Sequence, residues 1–153
     1  TSKTGGNPLA CAAAIAAINV TLEENIVEQA AEKGDYFMRQ LQDIAARHTD
    51  IYTAVTGKGL LIGQHFVNDD IGYEIASGLF KRGVLISGTL NNSRVIRVEP
   101  PLIISYTEID TVLNRLEDTI ASLHSSVSAS LLSLPERATS SSFASAIIDT
   151  VVA

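Results

Sequence analysis

Asn7-Pro8, followed by the run Leu9 to Val20, constrains the fold more than any other part of the chain. Asparagine caps free amides, and proline at the first helical position loses no hydrogen bond, so a helix begins here. The helix predicted behind it, Leu9 to about Asn25, is rich in alanine and apolar nearly all round as far as Val20. A helix that is apolar on most faces belongs inside a layered structure, covered from more than one side.

A second helix is predicted from about Val27 to His48, with Ala30, Phe37, Leu41, Ile44 and Ala45 as its apolar stripe. The period then changes. Ile51 to Val55 is a short β-rich run, and Gly57-Lys58-Gly59 punctuates it. In Leu60 to Val67, the residues Leu60, Ile62, Gln64 and Phe66 alternate with Leu61, Gly63, His65 and Val67. Asn68-Asp69-Asp70 caps a helix from Ile71 to Arg82, and Gly83 ends it. Strands are predicted at Val84 to Ser87 and Arg94 to Val98, the latter closed by Pro100-Pro101. Ser105-Tyr106-Thr107-Glu108 fits a capping box. The helix behind it places Ile109, Val112, Leu113, Leu116, Ile120 and Leu123 on one face. This mixed order of helices and strands predicts an α/β or α+β layer, with helices on a small sheet.

The balance of the chain narrows its partners. Apolar residues make up 46% and exclude general disorder, while a net charge of −6 with no basic run argues against nucleic acid or an anionic membrane. No apolar stretch reaches about 18 residues, the length a spanning helix needs. A single cysteine, Cys11, sits among alanines and reads as a small buried hydrophobe; the expected compartment is cytoplasmic. The chain opens Thr1-Ser2-Lys3 and its one methionine is Met38, so polypeptide upstream is expected. Residues 125–145 hold nine serines, and 125–153 is expected to be a weakly ordered tail.

Three spots carry chemical potential. In Thr4-Gly5-Gly6-Asn7-Pro8, bare amides, a hydroxyl and flexible glycines at a helix start suit a phosphate; an ordinary capped helix start is the competing reading. Arg97 lies in the alternating strand Val95-Ile96-Arg97-Val98, on the face opposite Ile96 and Val98. Its fork suits a carboxylate held by two bonds, and a structural ion pair with Glu99 or another acid is the alternative. Gly88-Thr89-Leu90-Asn91-Asn92 reads first as a turn. His48, His65 and His124 have no metal-ligand spacing, so no metal site is expected.

Taken together, these segments resemble the class III aminotransferases. Gly5-Gly6-Asn7-Pro8-Leu9-Ala10-Cys11-Ala12-Ala13-Ala14 resembles the stretch that opens their C-terminal region, and Gly57-Lys58-Gly59-Leu60-Leu61-Ile62-Gly63 resembles their small-domain strand. Gly88-Thr89-Leu90-Asn91-Asn92, then Ile96-Arg97-Val98-Glu99-Pro100-Pro101-Leu102, is most similar to the putrescine aminotransferase subgroup. Phe66-Val67-Asn68-Asp69-Asp70-Ile71-Gly72-Tyr73 is similar to it too. The resemblance covers about Thr4 to Leu123. Departures are a missing aromatic between Thr4 and Gly5, Thr56 where arginine is common, and Gln64-His65 before Phe66.

The resemblance implies a fold-type I enzyme that uses pyridoxal 5′-phosphate and moves an amino group from a diamine or ω-amino donor of putrescine or ornithine type to 2-oxoglutarate. It implies a long connecting helix within 1–25 and a small C-terminal domain at 26–124, mainly an antiparallel sheet with helices packed on it. Thr4, Gly5, Gly6 and Asn7 correspond to cofactor-binding positions, with Lys3 as the alternative to Thr4, and Arg97 to a substrate carboxylate site. The complete enzyme is expected to be a homodimer. The family's cofactor-bearing lysine has no counterpart here, since it belongs upstream of Gly5-Gly6; Lys3 as its remnant is the lesser reading. Accordingly no catalytic residue is assigned, and the fragment alone is expected to be inactive. The competing expectation is a non-catalytic remnant or interaction module derived from the same family.

Overall fold

The computed structural model describes residues 5–89 and 92–132. The chain divides into two units, residues 1–120 and 121–153, and the described part of the second is the end of the last helix.

Helix α1 spans Pro8–Glu23, with Asn7 Oδ1 accepting the Leu9 amide at 2.9 Å. None of its residues is buried, and Leu9 and Leu22 are 80% and 68% exposed. That departs from the burial its composition predicts, because its main neighbour among the described residues is α2 alone. Helix α2 spans Ile26–Arg47 and is bent by 62° from α1. Asn25 makes the corner at φ 50°, ψ 42°, a left-handed conformation that asparagine adopts more readily than most residues. Phe37, Leu41 and Ile44 of the expected stripe are buried; Ala30 and Ala45 are half-buried.

The remaining elements are β1 (Tyr52–Lys58), β2 (Leu61–Phe66), α3 (Asp69–Lys81), β3 (Ser87–Gly88), β4 (Val95–Val98) and α4 (Tyr106–Leu132). The strands form one antiparallel sheet in the order β1-β2-β4-β3. Alternation decides its faces. Ile62, Gln64 and Phe66 of β2 and Ile96 and Val98 of β4 are buried on the helix side, where α2 and α3 pack. Buried Ile109, Leu113, Leu116 and Ile120 add α4 to the same core. The buried amide of Gln64 is satisfied by Tyr52, whose hydroxyl donates to Oε1 at 2.9 Å. Burial pushes the Tyr52 phenol up, so it stays a neutral donor.

The strand predicted at Val84 to Ser87 is mostly absent. Only Ser87 and Gly88 pair with β4, opposite Arg97 and Ile96. The Val84 amide is already committed to Leu79 O at 2.9 Å, so the chain emerges from the end of the preceding helix and joins β4 only at Ser87. Val84 is instead buried and Leu85 is 85% exposed.

Local chemistry sets the helix ends. Asn68 Oδ1 accepts the Ile71 amide at 2.8 Å to start α3. Gly83, at φ +75°, ends it, and the Val84 amide returns to Leu79 O at 2.9 Å. The capping box forms as expected: the Ser105 amide donates to Glu108 Oε2 at 2.8 Å, and the Glu108 amide donates to Ser105 Oγ at 3.2 Å. Tyr36 OH donates to Asp110 Oδ1 at 2.6 Å, which raises the pKa of the phenol. Arg47 pairs with Glu117. These two contacts hold α2 along α4. The helix runs on to Leu132, past Ser125 where the tail is expected; the rest of the expected tail, residues 133–153, lies outside the described residues.

The capping box makes a pH-dependent contribution. Hydrogen bonds from Ser105 hold the Glu108 carboxyl below its ordinary value of 4.5. A depressed carboxyl pKa stabilises the fold above the unfolded value and loses that effect as pH falls through the folded one. Glu108→Ala is expected to lower thermal stability at pH 7 and to converge on the parent chain as pH drops below 4.5. Thermal melts of both chains across that interval check it, and a difference that persists unchanged in acid contradicts it.

Candidate functional site

The sheet face away from the core positions the candidate groups. On it the register puts Arg97 of β4 beside Gly63 of β2, and Gly63 beside Thr56 of β1. His65, opposite Val95, shares that face, and its Nε2 lies 2.8 Å from Thr56 Oγ1. Glycine at 63 keeps the strand next to Arg97 free of a side chain. A Cβ there would make only ordinary contacts, the nearest being Val95 Cγ1 at 3.5 Å.

Arg97 reaches past the end of its strand. Its Nη1 lies 3.1 Å from Glu99 Oε1, and the two side chains are 44% and 40% exposed. Residues two apart on a strand share a face, which brings the opposite charges together. An exposed pair of this kind contributes about 0–1 kcal/mol, so a better-placed ligand can open it. Arg97 and Glu99 line a cavity of about 490 Å³ with Leu85, Ile86 and Gly88. A second cavity, about 370 Å³, shares Leu85, Ile86 and Glu99 and continues towards Phe37, Pro101 and Arg115.

The loop ahead of β4 anchors this wall. The Thr89 hydroxyl donates to Asn92 O, the Thr89 amide to Val95 O at 3.3 Å, and the Asn92 amide returns to Thr89 Oγ1 at 3.2 Å. Leu90 and Asn91 lie outside the described residues. The segment read first as a turn thus carries one hydrogen bond from Thr89 to β4, and it delivers Gly88 to the cavity.

At the other sequence-predicted spot, Gly5, Gly6 and Asn7 are exposed, and Thr4 lies outside the described residues. Gly6 has φ +81°, and nothing comes within 4 Å of where a Cβ would sit. The positive end of α1 and an unobstructed glycine backbone suit an anion. One local donor is already committed, the Leu9 amide held by Asn7 Oδ1, and Pro8 has none to offer. Gly5, Gly6 and Asn7 line neither cavity, so the two predicted spots are not joined into one pocket by the described residues. Sequence reasoning missed Leu85 and Ile86 as walls, having assigned them to a paired strand. It met Glu99 only as an ion-pair partner for Arg97.

A profile of the aminotransferase class-III family matches residues 2–120. Among solved structures, the chain is similar to an acetylornithine aminotransferase from Elizabethkingia anophelis, with 33% identity over 80% of this chain and 32% of that one, and a TM-score of 0.72. A Bacillus anthracis aminotransferase matches at 27% identity and a TM-score of 0.70, over 79% of this chain and 30% of that one. A lysine aminotransferase from M. tuberculosis shares the fold at 23% identity and a TM-score of 0.65, over 68% and 23% of the two chains. The chain thus spans between 23% and 32% of the length of these structures.

Proposed function

This chain belongs to the class-III aminotransferase family, and from that premise we propose that it is the connecting helix and small C-terminal domain of a fold-type I transferase. The complete protein moves an amino group from a diamine or ω-amino donor, of putrescine or ornithine type, to 2-oxoglutarate. The observation that carries the acceptor is Arg97: a half-exposed guanidinium on the open face of the sheet, at a cavity with an apolar side formed by Leu85 and Ile86. A planar fork at such a wall grips a carboxylate by two parallel bonds and so fixes the acceptor's orientation.

The family uses pyridoxal 5′-phosphate, and the residues present fit one side of its phosphate. Gly5, Gly6 and Asn7 stand at the positive end of α1, with open space at Gly6, and Thr4 adds a hydroxyl next to them in sequence. When bound, the cofactor supplies the electron sink for breaking the C–H bond beside nitrogen. The residues assigned here bind and orient; none makes or breaks a bond. The exposed apolar faces of α1 support the same reading, since Leu9, Ile15, Ile18 and Leu22 need cover that a large domain would provide. The complete protein is proposed to be a homodimer.

Steady-state kinetics on the complete polypeptide test this. Glutamate is expected to form from 2-oxoglutarate with putrescine, ornithine or N-acetylornithine as donor. Turnover with pyruvate but with no dicarboxylate acceptor would overturn the reading.

A further inference from the structure

We propose that the first turn of α3 is the seat that positions Arg97, with Gly72 and Asp69 as positioning residues for the acceptor. The inference rests on the acceptor role of Arg97 given above. A guanidinium fork holds a carboxylate by two bonds only while its strand stands at the right height and angle, and a misplacement of about 1 Å in such a site can cost about a hundredfold. β4 is only four residues long, so its placement depends on the chain that enters it at Asn92–Arg94.

Two contacts from α3 meet that entrance. Gly72 is buried, and a Cβ on it would lie 3.0 Å from Ser93 O and 3.6 Å from Phe66 Cδ2. Its φ is not positive, so glycine provides room for Ser93 here and not backbone freedom. One turn back, Asp69 Oδ1 accepts from Arg94 Nε at 3.2 Å. Asn68 fixes this turn of the helix by accepting the Ile71 amide. From the other side, the Arg94 carbonyl accepts the Phe66 amide at 2.9 Å, so the entrance is held between α3 and the end of β2.

A shift of the entrance reaches the site by two routes. Along β4, Arg97 lies three residues beyond Arg94. Across to β3, Asn92 O accepts the Thr89 hydroxyl and Val95 O accepts the Thr89 amide, and Gly88 beside Thr89 lines the same cavity as Arg97. Alanine at 72 would push Ser93 by a few tenths of an ångström. That is enough to spoil a two-bond grip and too little to unfold the domain.

In the complete enzyme, Gly72→Ala is expected to raise the KM for 2-oxoglutarate by about fivefold. The donor half-reaction, followed in a single turnover without acceptor, is expected to change by less than about twofold. Asp69→Asn and Arg94→Gln each remove the same exposed ion pair, and each is expected to raise the acceptor KM by about threefold. The double variant is expected to do no more than either alone, because the two residues share one bond. Gly78→Ala is the control on the same helix. A Cβ there meets Thr119 Cγ2 at 2.4 Å, on α4 and away from the entrance to β4. It is expected to lower the thermal midpoint and to keep the acceptor KM within about twofold of the parent.

The outcomes separate the seat from the site it serves. An unchanged 2-oxoglutarate KM in Arg97→Lys removes the acceptor site, and the seat with it. If Arg97→Lys raises that KM while Gly72→Ala and Asp69→Asn both keep the parent value, the seat alone falls. Equal rises in Gly72→Ala and Gly78→Ala, or equal slowing of both half-reactions in Gly72→Ala, also overturn it, since general loosening of the domain would then account for the effect.

Discussion

Gly34→Ala is expected to destabilise the fold by about 2–4 kcal/mol, although alanine in a helix interior ordinarily gains about 1 kcal/mol over glycine. Gly34 is buried in the middle of α2. A Cβ there would meet the Gly59 carbonyl carbon at 2.2 Å, its oxygen at 2.3 Å and its Cα at 2.4 Å. These are backbone atoms, and Gly59 closes the turn between β1 and β2 at φ +56°, so it cannot step aside as a flexible side chain would. Either α2 lifts from the sheet or the turn deforms, and both disturb Phe37 and Leu41, one and two turns further on and each 1% exposed. For a chain of this size the loss corresponds to a fall in Tm of about 10 °C. Gly88→Ala is the control: a Cβ there meets nothing within 4 Å, and the change is expected to stay within about 0.5 kcal/mol. Thermal and urea unfolding of both variants decide the matter. A more stable Gly34→Ala chain would mean that α2 does not rest on Gly59.

Arg97→Lys in the complete enzyme is expected to raise the KM for 2-oxoglutarate by about tenfold to a hundredfold, the scale of losing one charge-assisted hydrogen bond of a bidentate pair. Lysine keeps the charge but offers a point donor in place of a fork. It also lacks the planar fork with which Arg97 meets Glu99. The effect belongs to the half-reaction that consumes the acceptor. A diamine has no carboxylate for Arg97, so the rate of the donor half-reaction, followed in a single turnover without 2-oxoglutarate, is expected to change by less than about threefold. That contrast separates an acceptor site from a general structural role, which would depress both half-reactions together. An unchanged acceptor KM removes the assignment.

Much of the helix punctuation was legible before any fold was known. Asn7, Asn68, Gly83 and the Ser105–Glu108 box act through bonds no more than six residues long, so each motif carries its own partner. The faces of β2 and β4 were legible for a related reason. A period of two sends Ile62, Gln64 and Phe66 to one side and Arg97 to the other wherever the strand lies. What a local pattern cannot carry is a partner distant in sequence. Val84 to Leu85 has strand composition, yet forms no strand, and the Val84 amide is held by Leu79 O at the end of α3 instead. The glycine at 34 looks like a helix defect until Gly59 is found against it.

The amino-acid order alone determined where helices start and stop, which strand residues face the core, and that Arg97 stands on the opposite face, because these follow from hydrogen bonds and periodicities spanning a few residues. Only the tertiary structure decided that Leu85 and Ile86 leave the sheet to line a cavity, that Glu99 closes on Arg97 there, and that α1 exposes its apolar faces. Those outcomes depend on which distant segments share space, and burial and pairing energies are settled by contacts no short stretch of sequence contains.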